Sequence, residues 1–196
     1  MGGKRRISVV EVTRPALVLG STQPWPAGPA APPGLDVVRR ASGGGAVLVV
    51  PAALVWVDIV VPPGDPLWEE DVGRAFHWLG GAWAESLQRL GVDADWHDAA
   101  LVASEWSPLV CFAGLGPGEV TVDRRKVVGM SQRRTRQGSL FQCAALLAWD
   151  AAAIVGLVVD PDDRARAERE LRTAAAGVAV PADDLVTAFV DTLGDV

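Results

Sequence analysis

Arg39-Arg40-Ala41-Ser42-Gly43-Gly44-Gly45-Ala46-Val47-Leu48 sets two arginines and a serine before three consecutive glycines, with an apolar run after them. Glycine has no Cβ, so such a backbone can approach a ligand or another strand closely. Its N–H groups can converge on a carboxylate or phosphate as a nest. A plain β-turn is the alternative reading of the same residues. A second stretch, Asp123-Arg124-Arg125-Lys126-Val127-Val128-Gly129, holds the only lysine after Lys4. The rest of the 18 basic residues are arginine, and the chain has no asparagine or tyrosine. An ammonium and a planar guanidinium are not interchangeable where a point charge must enter a pocket. Lys126 is therefore either such a charge or a solvated residue left by chance.

Around these stretches the chain alternates strand and helix signals. Ile7–Val12 and Ala16–Leu19 read as two short strands around the turn at Arg14-Pro15. Pro24 to Gly34 is too rich in proline for a helix or an inner strand and reads as a loop. Ala46–Val50 and Leu54–Val61, split by Pro51, read as another strand pair. Asp65-Pro66 looks like a helix start. Val72, Phe76, Leu79, Trp83, Leu87 and Leu90 then form one apolar stripe. Gly80-Gly81 either weakens that helix or admits a close neighbour. Leu109–Ala113, Glu119–Asp123, Val127–Ser131 and Ser139–Leu147 read as strands, the first two joined by a glycine-rich hairpin. Helices follow from Pro161 and from Pro181. The fold class is α/β (α+β), a mostly antiparallel sheet flanked by helices.

Composition narrows the function. At 196 residues the chain is long enough for one full core and short for two, so residues 1–196 read as a single domain with C-terminal helices 161–196 packed on it. No apolar run approaches the roughly 20 residues that span a bilayer, and the basic start carries no signal-peptide pattern. Two cysteines, Cys111 and Cys143, give no disulfide framework, which points to a reducing cytoplasm. His77 and His97 are too far apart for a metal-ligand spacing. A net charge of −6 argues against nucleic acid as a partner. Residues 121–137 are locally basic, either as a solvated loop or as an anion-handling loop around Lys126.

Taken together, Arg39-Arg40-x-Ser42-Gly43-Gly44-Gly45-Ala46-Val47 and the later Arg125-Lys126-Val127-x-Gly129 resemble the lipoate-protein ligase and octanoyltransferase family. Pro15–Gln23 is similar to that family's first hairpin, and the likeness covers roughly residues 7–160. It implies the biotin/lipoate ligase fold, related to class II tRNA synthetase catalytic domains. It also implies transfer of a lipoyl or octanoyl group to the lysine of a lipoyl carrier domain, with no nucleic acid and no membrane involved. Lys126 would place its ammonium on the acyl carbonyl or adenylate phosphate. Arg39, Arg40, Ser42, Gly43, Gly44, Gly45, Ala46, Val47, Leu48 and Gly129 would bind nucleotide and acyl group.

The sub-families differ in how the acyl group is activated. The ligases use ATP and Mg to make an adenylate, and carry an Asn-Asp pair shortly before the lysine segment. The place assigned to that pair here reads Pro108-Leu109-Val110-Cys111-Phe112. Octanoyltransferases need no cofactor and hold the acyl group on the cysteine of a Cys-Phe segment, which Cys111-Phe112 matches. A thiolate is an effective acyl acceptor, whereas a free cysteine is more often a buried core residue. Two departures stand against the resemblance. Where the family has His-Gly-Ser this chain reads Phe141-Gln142-Cys143-Ala144-Ala145, and it starts almost at the first hairpin, so the family's N-terminal Asn-x-Ala-x-Asp/Glu helix is expected either to precede Met1 or to have been lost. A non-catalytic relative that binds lipoate, an acyl chain or a carrier domain, or acts as a partner subunit, is the competing expectation.

Overall fold

A six-stranded sheet forms the centre of the molecule, in a computed structural model that describes residues 4–25 and 32–194. Its order is β1 (Arg6–Val10), β5 (Leu54–Val61), β9 (Gly138–Leu146), β8 (Arg125–Thr135), β7 (Val120–Val122) and β6 (Ala94–Trp96). Every neighbouring pair is antiparallel. A second, three-stranded sheet has β2 (Ala16–Leu19) in the middle, parallel to β3 (Asp36–Arg39) and antiparallel to β4 (Val47–Val49).

Side-chain alternation on β5 explains the layering, because successive residues point to opposite faces. Val55, Val57 and Ile59 face α1 (His77–Arg89) and α4 (Ala182–Gly194), where Trp83 stacks on Phe189 with ring centroids 3.7 Å apart. Leu54 and Trp56 join the opposite core with β4, Phe112, α2 (Ala151–Val158) and α3 (Arg164–Ala174). Among the described residues no helix is long and apolar enough to cross a membrane.

Several local expectations are corrected. The two early strands do not pair, since β1 belongs to the large sheet and β2 to the small one. The same holds for β4 and β5. Ala52 at φ 60° and the Ala53 carbonyl, which accepts from Leu147 and Ala148, carry the chain from one sheet to the other. The expected helix does not begin at Asp65. Its carboxylate accepts from the Leu67 N–H and pairs with Arg5, which fixes a local turn. The Asp71 carboxylate accepts from the Arg74 N–H, and helix begins only there, so Val72 stays 57% exposed. Cys111–Ala113 is a 3₁₀ turn rather than a strand, because Val110 bonds back to the Trp106 carbonyl. Strands β3 and β6, too short to show alternation, and helix α2, capped by Asp150 on the Ala153 N–H, were not visible in the pattern. Part of the proline-rich loop, residues 26–31, lies outside the described residues.

Candidate active site

The glycine loop is held from beneath by Arg40, which is buried. Its guanidinium donates to the carbonyls of Gly43 (2.6 Å), Gly45 (2.9 Å) and Val18 (3.3 Å) and to Ser42 Oγ (3.2 Å). Burial pulls this guanidinium below its usual range, while the charge of nearby Cys111 acts the other way. Arg39 donates to the carbonyls of Gly20, Ser21 and Gln23 and lies over the Trp25 ring. Both arginines therefore shape the loop, instead of standing free beside it as charge for a ligand. The N–H groups of Gly43, Gly44 and Gly45 donate to no protein acceptor among the described residues. Three such amides on one loop are the raw material of an anion nest.

Gly45 is fixed by a close approach. A Cβ there would lie 2.5 Å from the Val110 carbonyl carbon and 2.6 Å from the Cys111 nitrogen. Ala46 donates to the Leu109 carbonyl and accepts from the Cys111 N–H, so the loop and the Cys111 turn form one backbone ladder. Ala46 and Val47 are buried in the small sheet's core and Leu48 packs at its edge.

Lys126 reaches the same turn from β8. Asp123 (φ 50°) and Arg124 (φ 62°) form the two-residue hairpin between β7 and β8, with both central residues left-handed. A register shift next to Thr121 then inserts an extra residue on β8, so that Lys126, Val127 and Val128 are all buried. Bulges of this kind re-aim side chains beside functional sites. The Lys126 ammonium, 3% exposed, donates to the carbonyls of Cys111 (2.8 Å) and Gly114 (3.1 Å) and pairs with Glu119 Oε2 at 2.6 Å. It also lies 5.1 Å from the Phe112 ring centroid. Gly129 makes room, since a Cβ there would come within 3.1 Å of both Lys126 Cε and Phe112.

Glu119 is the residue that sequence reasoning missed. Its Oε1 accepts from the Met130 N–H and its Oε2 from the Gly116 N–H as well as from Lys126. Its turn is wedged against α1: a Cβ on Gly80 would lie 2.2 Å from the Gly118 carbonyl oxygen. Gly80 thus marks a close neighbour, while a Cβ on Gly81 would meet nothing within 4 Å. Only the Glu119 spacing of seven residues before Lys126, across a two-residue turn, could have pointed to the pair.

A polar network borders the loop on the large sheet. Ser42 Oγ contacts Ser131 Oγ (2.8 Å) and Gln142 Oε1 (2.7 Å). Gln142 Nε2 donates to Asp58 Oδ1, which also accepts from Trp56 Nε1. The structure therefore brings together Gly45, Ala46, Cys111, Lys126 and Gly129, with Ser42 and Arg40 behind them. The histidines are engaged elsewhere: the ring of His97 bonds the Ala100 carbonyl and His77 tilts against Trp96.

Cys143 takes no part in this cluster. It is fully buried, and burial pushes its thiol up to about 12. An unfolded thiol ionises near pH 8.5, so the buried, neutral thiol stabilises the fold at low pH and that contribution is lost as pH rises toward 12. Between about pH 9 and 12, wild type should lose stability relative to Cys143→Ala by up to about 1.4 kcal/mol per pH unit. Urea unfolding of both proteins at pH 8 and 10.5 checks this, and a pH-independent difference contradicts it.

Residues 3–182 match the family model of the lipoyl protein ligase A/B catalytic domain. The chain belongs to that family. The likeness carried by the glycine loop and the Lys126 segment is thereby confirmed. No curated protein sequence matches the chain. Among solved structures it resembles a bipartite lipoate protein ligase from Thermoplasma acidophilum, described with its E2 lipoyl domain. That match has TM-score 0.72 and 18% identity over 97% of this chain and 69% of the other. A lipoate-protein ligase A bound with ATP matches at TM-score 0.64 and 18% identity, over 97% and 71% of the two chains. P. falciparum LipL1 in complex with lipoate matches at TM-score 0.62 and 12% identity, over 98% and 47%. These likenesses establish the lipoate-ligase fold, a mixed α/β architecture with an antiparallel sheet flanked by helices.

Proposed function

We propose that this protein transfers a lipoyl or octanoyl group to the lysine of a lipoyl carrier domain in the cytoplasm. The observation that carries the reading is the meeting of three unpaired glycine-loop amides with Cys111 and the Lys126 ammonium within one hydrogen-bonded cluster. Amides of this kind stabilise the oxygen of an acyl group as negative charge develops on it. Lys126 enters that chemistry by exchanging one of its carbonyl partners for a substrate oxygen.

Two routes can activate the acyl group. In the first, the acid's carboxylate attacks the α-phosphorus of ATP and pyrophosphate leaves. In the second, the Cys111 thiolate attacks a donor thioester and the donor thiol leaves. Either product is then attacked by the carrier lysine's amine, which loses a proton as AMP or the Cys111 thiolate departs. The backbone ladder that joins the Cys111 turn to the glycine loop through Ala46 supports the thioester route, since it holds Cys111 beside the unpaired amides. The ATP-bound relative supports the adenylate route. Mg fits the cluster poorly as a protein-held ion, because both Glu119 oxygens are taken and no group of three metal-ligating side chains exists among the described residues. No step is assigned to it.

A second reading has one observation in its favour: all three N–H groups of Lys126 are already bonded to the protein. A relative that binds the acyl group without transferring it would keep this arrangement. Incubating the protein with an apo carrier domain, and either lipoate plus ATP or an octanoyl thioester donor, separates the two. Transfer predicts a carrier mass increase of one acyl group, dependent on ATP in the first route and abolished by Cys111→Ser in the second. An unmodified carrier under both conditions refutes transfer.

A further inference from the structure

One chain of hydrogen bonds runs from the large sheet into the underside of the glycine loop. Ser131, Gln142 and Asp58 form a polar row across β8, β9 and β5. Asp58 Oδ1 accepts from Trp56 Nε1 at 2.8 Å and from Gln142 Nε2 at 3.3 Å. Gln142 Oε1 lies 2.7 Å from Ser42 Oγ, which also meets Ser131 Oγ at 2.8 Å and Arg40 Nε at 3.2 Å. Asp58 and Gln142 are half-buried, whereas Ser42 and Arg40, at the base of the loop, are buried.

The two ends of this chain fix the direction of every hydrogen in it. An ionised carboxylate only accepts, so Gln142 turns its NH2 group to Asp58 and its carbonyl oxygen to Ser42. The single Ser42 hydroxyl hydrogen therefore goes to Gln142. The Ser42 oxygen is left to accept from Arg40 Nε and from the Ser131 hydroxyl. Arg40, oriented in this way, places Nη2 on the carbonyls of Gly43 and Gly45. In a trans peptide the N–H points opposite to the carbonyl of the residue before it, and no peptide bond here is cis. Holding the Gly43 carbonyl against Arg40 thus turns the Gly44 N–H away from Arg40. That N–H is one of the three loop amides with no protein acceptor among the described residues.

Resting on the transfer reading, we infer that Gln142 is a positioning residue for acyl transfer: held by Asp58, it acts through Ser42 and Arg40 to keep the Gly44 N–H ready for the acyl oxygen. It needs no contact with the acyl group or the carrier. Donors set in advance stabilise a developing oxyanion without reorganising, and a shift of about 1 Å in such a donor can cost on the order of 100-fold in rate.

Acyl transfer to an apo carrier domain by wild type, Gln142→Leu and Gln142→Glu tests this, with rates divided by the folded fraction from circular dichroism. Gln142→Leu should lower kcat about tenfold or more while KM stays within about twofold. Gln142→Glu has nearly the same shape and adds a readout that a purely structural role would not move. Ionised, the new carboxylate accepts from Ser42 but cannot donate to Asp58. Protonated, it does both, as the amide does. The charged groups in this chain of bonds are Asp58, in direct contact, and Arg40, one residue further, so the carboxylate pair dominates and favours protonation. The ratio of Gln142→Glu to wild-type kcat should therefore rise about threefold or more from pH 8 to pH 6, while the Gln142→Leu ratio stays flat. A folded Gln142→Leu with kcat within about twofold of wild type overturns the inference, as does a Gln142→Glu ratio that does not change with pH. Should Gln142→Leu fail to fold, the Gln142→Glu ratio alone decides. A wild type that leaves the carrier unmodified overturns the transfer reading instead.

Discussion

Glu119→Ala is expected to lower folding stability by about 3–5 kcal/mol, the range for breaking one side of a buried ion pair. Lys126 and Glu119 are 3% and 5% exposed, so water cannot replace the lost carboxylate. The substitution strands the ammonium and also removes the acceptor for the Gly116 and Met130 N–H groups. A double change, Glu119→Ala with Lys126→Met, should recover part of the loss, because the uncompensated charge is then gone. Urea unfolding of the single and double variants gives both values. A loss below about 1 kcal/mol for Glu119→Ala would show that the pair is not buried as described.

Lys126→Arg should reduce the rate of acyl transfer on the order of 10²–10³-fold, the usual cost of losing one oxyanion-stabilising group. Charge is kept, so the change isolates shape. A guanidinium is longer and planar, and the Lys126 ammonium is enclosed by Glu119, the carbonyls of Cys111 and Gly114 and the Phe112 ring. A reacting role predicts that the kcat of the folded fraction falls with little change in KM, whatever the overpacking, about 1–3 kcal/mol, does to the urea midpoint. A purely structural role would lower the midpoint and leave the turnover of the folded fraction intact. Near-normal turnover contradicts the assignment.

The glycine loop and Lys126 were legible because their chemistry is local: three glycines in a row and one lysine among arginines stand out without a partner. The strands of the large sheet were legible where they are long, as at Leu54–Val61 and Gly138–Leu146. Pairing was not legible. Strands β4 and β5 are separated by a four-residue turn yet lie in different sheets, because Ala53 is bonded to Leu147 and Ala148 rather than across a hairpin. Glu119 was hidden for a related reason. Its role depends on a bulge that turns Lys126 inward and on Gly80 letting α1 press against its turn. The polar row needed tertiary structure too, since Gln142 meets Asp58 across 84 residues and Ser42 across 100. Arg40 looked like a ligand-binding charge, and its burial beneath the loop became apparent only in the fold.

A crystal structure with the acid substrate and a non-hydrolysable ATP analogue, or with a stable acyl-adenylate analogue, tests the proposed reacting centre most directly. An acyl or phosphate oxygen is predicted within about 3.2 Å of the Lys126 ammonium and of at least one N–H among Gly43, Gly44 and Gly45. Lys126 should by then have released the carbonyl of Cys111 or Gly114 while keeping Glu119. A ligand ordered elsewhere, with Lys126 still bonded to Cys111, Gly114 and Glu119, would contradict it.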